Sequence, residues 1–233
     1  MKRTFDKFNV YLHLQMLILY CILCIAKIFF QIHFNYFVQC LILILLNYIL
    51  LFPFLKEYLY SMKSKVLLYF AILSVGEFFI IFNKNVIFLK LGIFFYLLSK
   101  FILLLLLKNS LKDFQLVTIW DSIKIIGPQL VSFALGFLIY NNADLDISLS
   151  VLVIIYAVLS ALIFSYIFYF KNFVGMRFIV IGLILITIHE SFGGLNFFNS
   201  YIDKDFVISF ILISAGKYFL GLGFWKSRIA SQH

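Results

Sequence analysis

Runs of about 20 apolar residues, separated only by short polar breaks, limit what this chain can fold into more than any other feature. They fall at about 10–31, 34–55, 64–82, 86–107, 119–140, 146–170, 174–197 and 206–225. A bilayer core about 30 Å thick needs roughly 20 apolar residues per helix. The breaks carry turn or polar chemistry, as in "KEYLYSMKSK", "FNKN", "KNSLKDFQ", "NNADLD" and "NSYIDKD". None of the runs shows the alternation that a membrane β-barrel needs. The sequence therefore predicts an all-α, polytopic transmembrane helical bundle of eight spans, a single domain over residues 1–233.

Composition agrees that lipid is the solvent. Of the 233 residues 64% are hydrophobic and 12% charged, where soluble domains hold roughly 25% charged residues. A soluble fold of this length has too little interior to hide so much apolar surface. No small-residue cleavage site follows the first run after "MKRTFDKF", so no cleavable signal peptide is expected. The expected setting is a multi-pass position in a bacterial inner membrane.

The formal charge of +9 is explained by its distribution. With a cytoplasmic N-terminus, the inner segments hold Lys2, Arg3, Lys7, Lys56, Lys63, Lys65, Lys108, Lys112, Lys171, Arg177, Lys226 and Arg228. The outer segments hold only Lys84, Lys204 and Lys90, beside Asp144, Asp146, Asp203 and Asp205. By the positive-inside rule both termini are cytoplasmic. The charge is then a topology signal and an attraction to anionic lipid, and no nucleic-acid partner is expected. Cys21, Cys24 and Cys40 lie in apolar runs without a second ligand pair, so they read as buried, inert thiols.

Five ionisable residues stand where the bilayer centre is expected: Glu77, Lys100, His189, Glu190 and Lys217. A charged residue there costs roughly 2.5–3.5 kcal/mol on insertion scales. Asp121 and Lys124 lie nearer a helix end, from which long side chains snorkel. The central charges are either structural ion pairs or a polar site between the third, fourth, seventh and eighth spans. Neighbouring helical residues point about 100° apart, so His189 and Glu190 cannot face one point together. Glycines beside charges, Gly76 before Glu77 and Gly216 before Lys217, suit a closely packed polar site. "HESFG" lacks the second histidine of a zinc-protease helix, and no nucleophile elbow is present. Two glutamates and a histidine offer ligands to a divalent ion, but the nearby lysines argue against one. No metal and no cofactor are expected.

Three local patterns together resemble the YhhN family of eight-span membrane proteins, which includes lysoplasmalogenases. "SVGEFFIIFNKNVIFLKLG" places Gly76-Glu77 and then Gly92 where the family has Gly-Asp and a glycine. "GLILITIHESFGGLNFF" places His189-Glu190 where it has a Ser-Asp or similar pair, and "SAGKYFLGLG" puts Lys217 in the polar slot of the last span. Both family aspartates are glutamates here, and Ser99-Lys100 stands in the region of its fourth-span histidine. The resemblance implies hydrolysis of the vinyl ether bond of a lysoplasmalogen or related ether lipid, releasing a fatty aldehyde. Vinyl ethers are protonated at carbon and then captured by water, which calls for an acid and a base. The resemblance assigns these catalytic roles to Glu77 and Glu190 with help from His189, and substrate binding to Lys217, Lys100 and Gly76. The partner would be a membrane lipid, a lysophospholipid or ether lipid. A different class of reading uses the same charges for lipid or small-molecule binding or transport without chemistry.

Overall fold

The computed structural model describes residues 2–32, 36–55, 63–82, 84–112, 118–142, 146–199 and 205–230, with side chains over 14–31, 36–52, 64–82, 84–112, 118–138, 146–192 and 207–227. Lys56, Asp144, Asp203 and Lys204, used above for orientation, lie outside the described residues. Among those described there are eight α-helices: α1 Lys2–Ile32, α2 Tyr36–Leu55, α3 Lys63–Ile81, α4 Val86–Lys108, α5 Ile119–Asn142, α6 Ile147–Tyr166, α7 Met176–Asn199 and α8 Asp205–Ala230. Each predicted apolar run coincides with one helix. Six of them are long and apolar enough to cross a membrane over their described residues, namely α1, α3, α4, α5, α6 and α8. The apolar stretch of α2, Tyr36–Phe52, is shorter. Among the described residues the regular elements are all helical, apart from one isolated bridge between Leu111 and Phe170, and the apolar helices mark a multi-pass membrane protein.

The helices start and stop for local reasons. Asn85 caps α4 by accepting the Ile87 N–H at 2.9 Å, and Asp146 caps α6 by accepting the Leu149 N–H at 2.7 Å, each satisfying a donor that the first turn leaves free. A 3-10 turn, Ile167–Tyr169, ends α6. Beyond it Lys112 N–H donates to the Tyr169 carbonyl and Lys171 N–H to the Ser110 carbonyl, tying the end of α4 to the α6–α7 connection. Pro128 interrupts the hydrogen bonding of α5, the helix whose apolar stretch is least buried.

The core lies among α1, α2, α3, α4, α7 and α8, with Ile163 added from α6. Leu46, Val66, Phe70, Leu103, Leu107, Leu183 and Leu220 are fully buried there, while Ile25, Phe37, Phe133 and Ile147 face outward. In lipid such leucines have no hydrophobic reason to leave the solvent, so close packing and polar contacts must join the helices. Glycine supplies the close packing. A methyl at Gly182 would sit 2.7 Å from the Leu220 nitrogen and 2.8 Å from the Gly216 carbonyl oxygen, and one at Gly175 2.4 Å from the Gly223 oxygen. Gly175 also has a φ of +94°, a conformation that side chains disfavour. The contacts Gly175–Gly223 and Gly182–Gly216 are one heptad apart on each helix, so α7 and α8 meet along one antiparallel seam. A second seam joins α3 to α4 at Gly76 and Gly92, where a methyl would come within 3.2–3.3 Å of the opposite carbonyl oxygen.

The cysteines differ from expectation. All three are free thiols, but Cys21 is exposed on the outer face of α1, and Cys24 and Cys40 are half-buried. The periodicity of α1 turns Cys21 outward with Ile18, Ile22 and Ile25.

Candidate functional site

The four central charges meet one another across the two glycine-joined hairpins. Lys217 of α8 donates to Glu77 Oε1 of α3 at 2.5 Å. Asn47 of α2 donates to Glu77 Oε2 at 3.0 Å and accepts from Lys217 at 3.4 Å. These three close a ring of contacts in which Lys217 is 0% and Glu77 8% exposed. The second pair joins Lys100 of α4 to Glu190 Oε1 of α7. The Lys100 ammonium also lies 5.4 Å from the centre of the Tyr156 ring on α6.

The two pairs are reciprocal. The α3–α4 hairpin contributes a glutamate from its first helix and a lysine from its second, and so does the α7–α8 hairpin. Each glutamate binds the lysine of the other hairpin. Advancing four helices along the chain carries α3 to α7 and α4 to α8, and the packing partly follows the same rule. The contact of α4 with α6 has its counterpart in α8 with α2, although α5 also packs on α7 and α1 on α8.

The pairs differ in their unused capacity. Both oxygens of Glu77 are engaged. Glu190 Oε2 is buried and makes no hydrogen bond of good geometry, although the Tyr156 side chain lies beside the carboxylate. His189, the next residue along, faces α8 instead: its Nδ1 is 2.8 Å from Ser209 Oγ. That contact extends the α7–α8 seam by one further heptad beyond Gly182 and Gly216. The 100° offset expected of neighbouring helical residues is thus realised, with Glu190 toward α4 and His189 toward α8.

The five ionisable residues singled out from sequence therefore separate into three groups. Glu77 and Lys217 are in direct contact, Lys100 and Glu190 are in direct contact, and His189 stands beside the second pair within electrostatic reach of Glu77. Tyr69 and Tyr96 lie within electrostatic reach of both glutamates, which places the pairs in one neighbourhood. Gly76 serves the α3–α4 seam, its absent methyl leaving room for the Tyr96 ring. Among the described residues no group of three histidine, cysteine or acidic side chains is gathered as a metal site.

Sequence reasoning missed Asn47, Ser209, Tyr156 and Lys27. Lys27 is buried near the end of α1, donating to Gln31 Oε1 at 3.0 Å and Gln39 Oε1 at 2.7 Å. The available signal for Asn47 and Lys27 is a lone polar residue in an apolar run, "LLNYILL" and "CIAKIFF". Ser209 and Tyr156 have no such signal, since both are ordinary in membrane helices.

Fold and charges together define a multi-pass helical membrane protein with a buried polar centre. No family model, curated protein or solved structure matches the chain.

Proposed function

We propose that this protein is an eight-span, YhhN-like enzyme of the bacterial inner membrane with both termini in the cytoplasm. In this reading it hydrolyses the vinyl ether bond of a lysoplasmalogen or related ether lipid. The observation that carries the reading is the buried Oε2 of Glu190, which is left without a hydrogen bond while Oε1 pairs with Lys100. An ion-paired carboxylate acts as a base, so Glu190 takes the proton from the water that attacks the oxocarbenium carbon. His189, which faces α8 and not the reacting carbon, supplies through a bound water the proton that first adds to the vinyl carbon. As the hemiacetal collapses, Glu190 gives its proton to the departing alcohol oxygen and the hemiacetal hydroxyl proton returns through the same water to His189, so aldehyde and glycerophospho-alcohol leave and both residues are restored. Glu77, engaged by Lys217 and Asn47, holds the two hairpins together and contributes field rather than proton transfer.

The test is aldehyde release from a lysoplasmalogen by purified protein. Glu190→Gln is expected to lower turnover at least about a hundredfold, the usual loss for an acid–base residue. Absence of aldehyde from folded wild-type protein across several ether lipids would sink the enzyme reading.

The reciprocity of the ion pairs favours a second reading, binding or transport without chemistry. Sites formed between repeated halves are common in transporters, and paired charges can exchange partners as halves move. Proteoliposome flux that vanishes in Glu190→Gln, with no aldehyde formed, would select it.

A further inference from the structure

Charge balance inside the bundle leaves Lys27 over. Glu77 offsets Lys217 and Glu190 offsets Lys100, while Lys27 has no carboxylate within ion-pair distance among the described residues. Its ammonium is not rescued by water, because the residue is only 4% exposed. Two of its three protons go to the amide oxygens of Gln31 and Gln39, and the Phe210 ring centre of α8 lies 5.7 Å away. Neutral amides orient an ammonium without neutralising it, and an isolated buried charge is expensive. An anion with hydrogen-bond acceptors would supply the countercharge that the amides do not.

A small, half-open apolar groove of about 30 Å³ lies along the same three helices. It is lined by Met16 of α1, by Ile49 and Leu50 of α2, and by Tyr218, Gly221 and Trp225 of α8. Lys27 to Met16, Gln39 to Leu50 and Phe210 to Gly221 are each 11 positions, so cation and groove are about 16 Å apart on one seam at 1.5 Å per residue. Between them Tyr20 donates to the Ser214 carbonyl and packs on Tyr218. That contact closes the seam inward, and along the stretch between cation and groove Ile18, Ile22, Leu41, Ile44 and Ile211 face the membrane.

We propose that the α1–α2–α8 seam binds a single-chain anionic amphiphile, its phosphate or carboxylate on Lys27, Gln31 and Gln39, its hydrocarbon tail along the membrane face of the seam and the end of that tail in the groove at Trp225. The membrane-facing surroundings of Lys27 identify the source as lipid and not a soluble anion. The site is distinct from the Glu190 centre and stands whether or not that centre hydrolyses anything.

The groove carries its own reporter. The only tryptophans are Trp120 and Trp225, so Trp120→Phe protein in neutral detergent reports on the groove alone. The probes are a saturated lysophosphatidic acid brominated in its chain and the monoacylglycerol of the same brominated chain. Neither has a vinyl ether bond, so failure of the enzyme reading leaves the measurement unaffected. The anionic probe is expected to quench Trp225 at about tenfold lower concentration than the neutral one. Lys27→Gln should abolish that difference and Lys27→Arg keep it. If Lys27→Gln does not fold, Gln39→Glu tests the same point by placing a permanent carboxylate beside Lys27, and it too should abolish the preference. Millimolar inorganic phosphate should not displace the lipid; displacement would overturn the lipid source. Equal quenching by the two probes in wild type, or a preference surviving in folded Gln39→Glu, would overturn the site.

Discussion

Lys217 Nζ lies 2.5 Å from Glu77 Oε1, and Lys217 has no surface of its own exposed. Neither charge can turn to water if the other is removed. Breaking a buried pair from one side costs about 3–5 kcal/mol, whereas removing both charges is often close to neutral. Lys217→Met and Glu77→Gln are each expected to lose stability in that range, and the double variant to regain most of it. Denaturant unfolding in detergent gives the coupling energy through a double-mutant cycle. Strictly additive losses would show that the pair contributes nothing as a pair.

The glycine seam makes a sharper contrast, because what a new methyl meets differs between positions. At Gly182 it meets the backbone nitrogen of Leu220 and the backbone oxygen of Gly216, neither of which can rotate away. At Gly136 in α5 nothing lies within 4 Å. Gly182→Ala should force α7 and α8 apart and destabilise the protein by about 1–3 kcal/mol, the usual penalty of overpacking. Gly136→Ala should be neutral or stabilising by up to about 1 kcal/mol, from helix propensity. Equal melting temperatures for the two variants would contradict the seam.

Particular residues show what the sequence makes legible. Length and apolarity were enough to place all eight helices, because in lipid a helix satisfies its backbone within itself. Glu77, Lys100, Glu190 and Lys217 were legible as outliers of charge, yet their partnering was not. Which lysine meets which glutamate depends on how the α3–α4 and α7–α8 hairpins face each other, a property of tertiary packing. Lys27 is as anomalous in its apolar run as Lys100, and its burial against Gln31 and Gln39 depends on how α1 and α2 pack.

The bond between His189 and Ser209 can be separated from the ion pairs. Polar contacts between membrane helices average about 0.6 kcal/mol and rarely exceed about 1.7. Ser209→Ala should therefore change unfolding stability by less than about 2 kcal/mol, well below Lys217→Met. If His189 delivers a proton in turnover, losing the bond at Nδ1 alters its tautomer and orientation. The pH dependence of aldehyde release should then shift in Ser209→Ala while the protein stays folded. An unchanged pH profile would assign the contact to packing of the α7–α8 seam alone.

Asp146, outside the membrane-spanning part of α6, offers a prediction with a definite sign. Lys90 donates to its carboxylate at 2.5 Å, and the Leu149 N–H and Ser148 hydroxyl donate as well. In that order these contacts lower its pKa to about 2, against an ordinary value of about 3.9. Between those values the unfolded chain binds the proton that the folded one refuses, so stability rises with pH across that window. The contribution is complete above about pH 4 and is lost as pH falls through about 2. Asp146→Asn keeps an N-capping oxygen but has nothing to titrate, so the wild-type-minus-variant difference in melting temperature should shrink steadily from pH 4 to pH 2. A difference that stays constant over that range would mean that Lys90 and the helix cap do not hold Asp146 in its charged form.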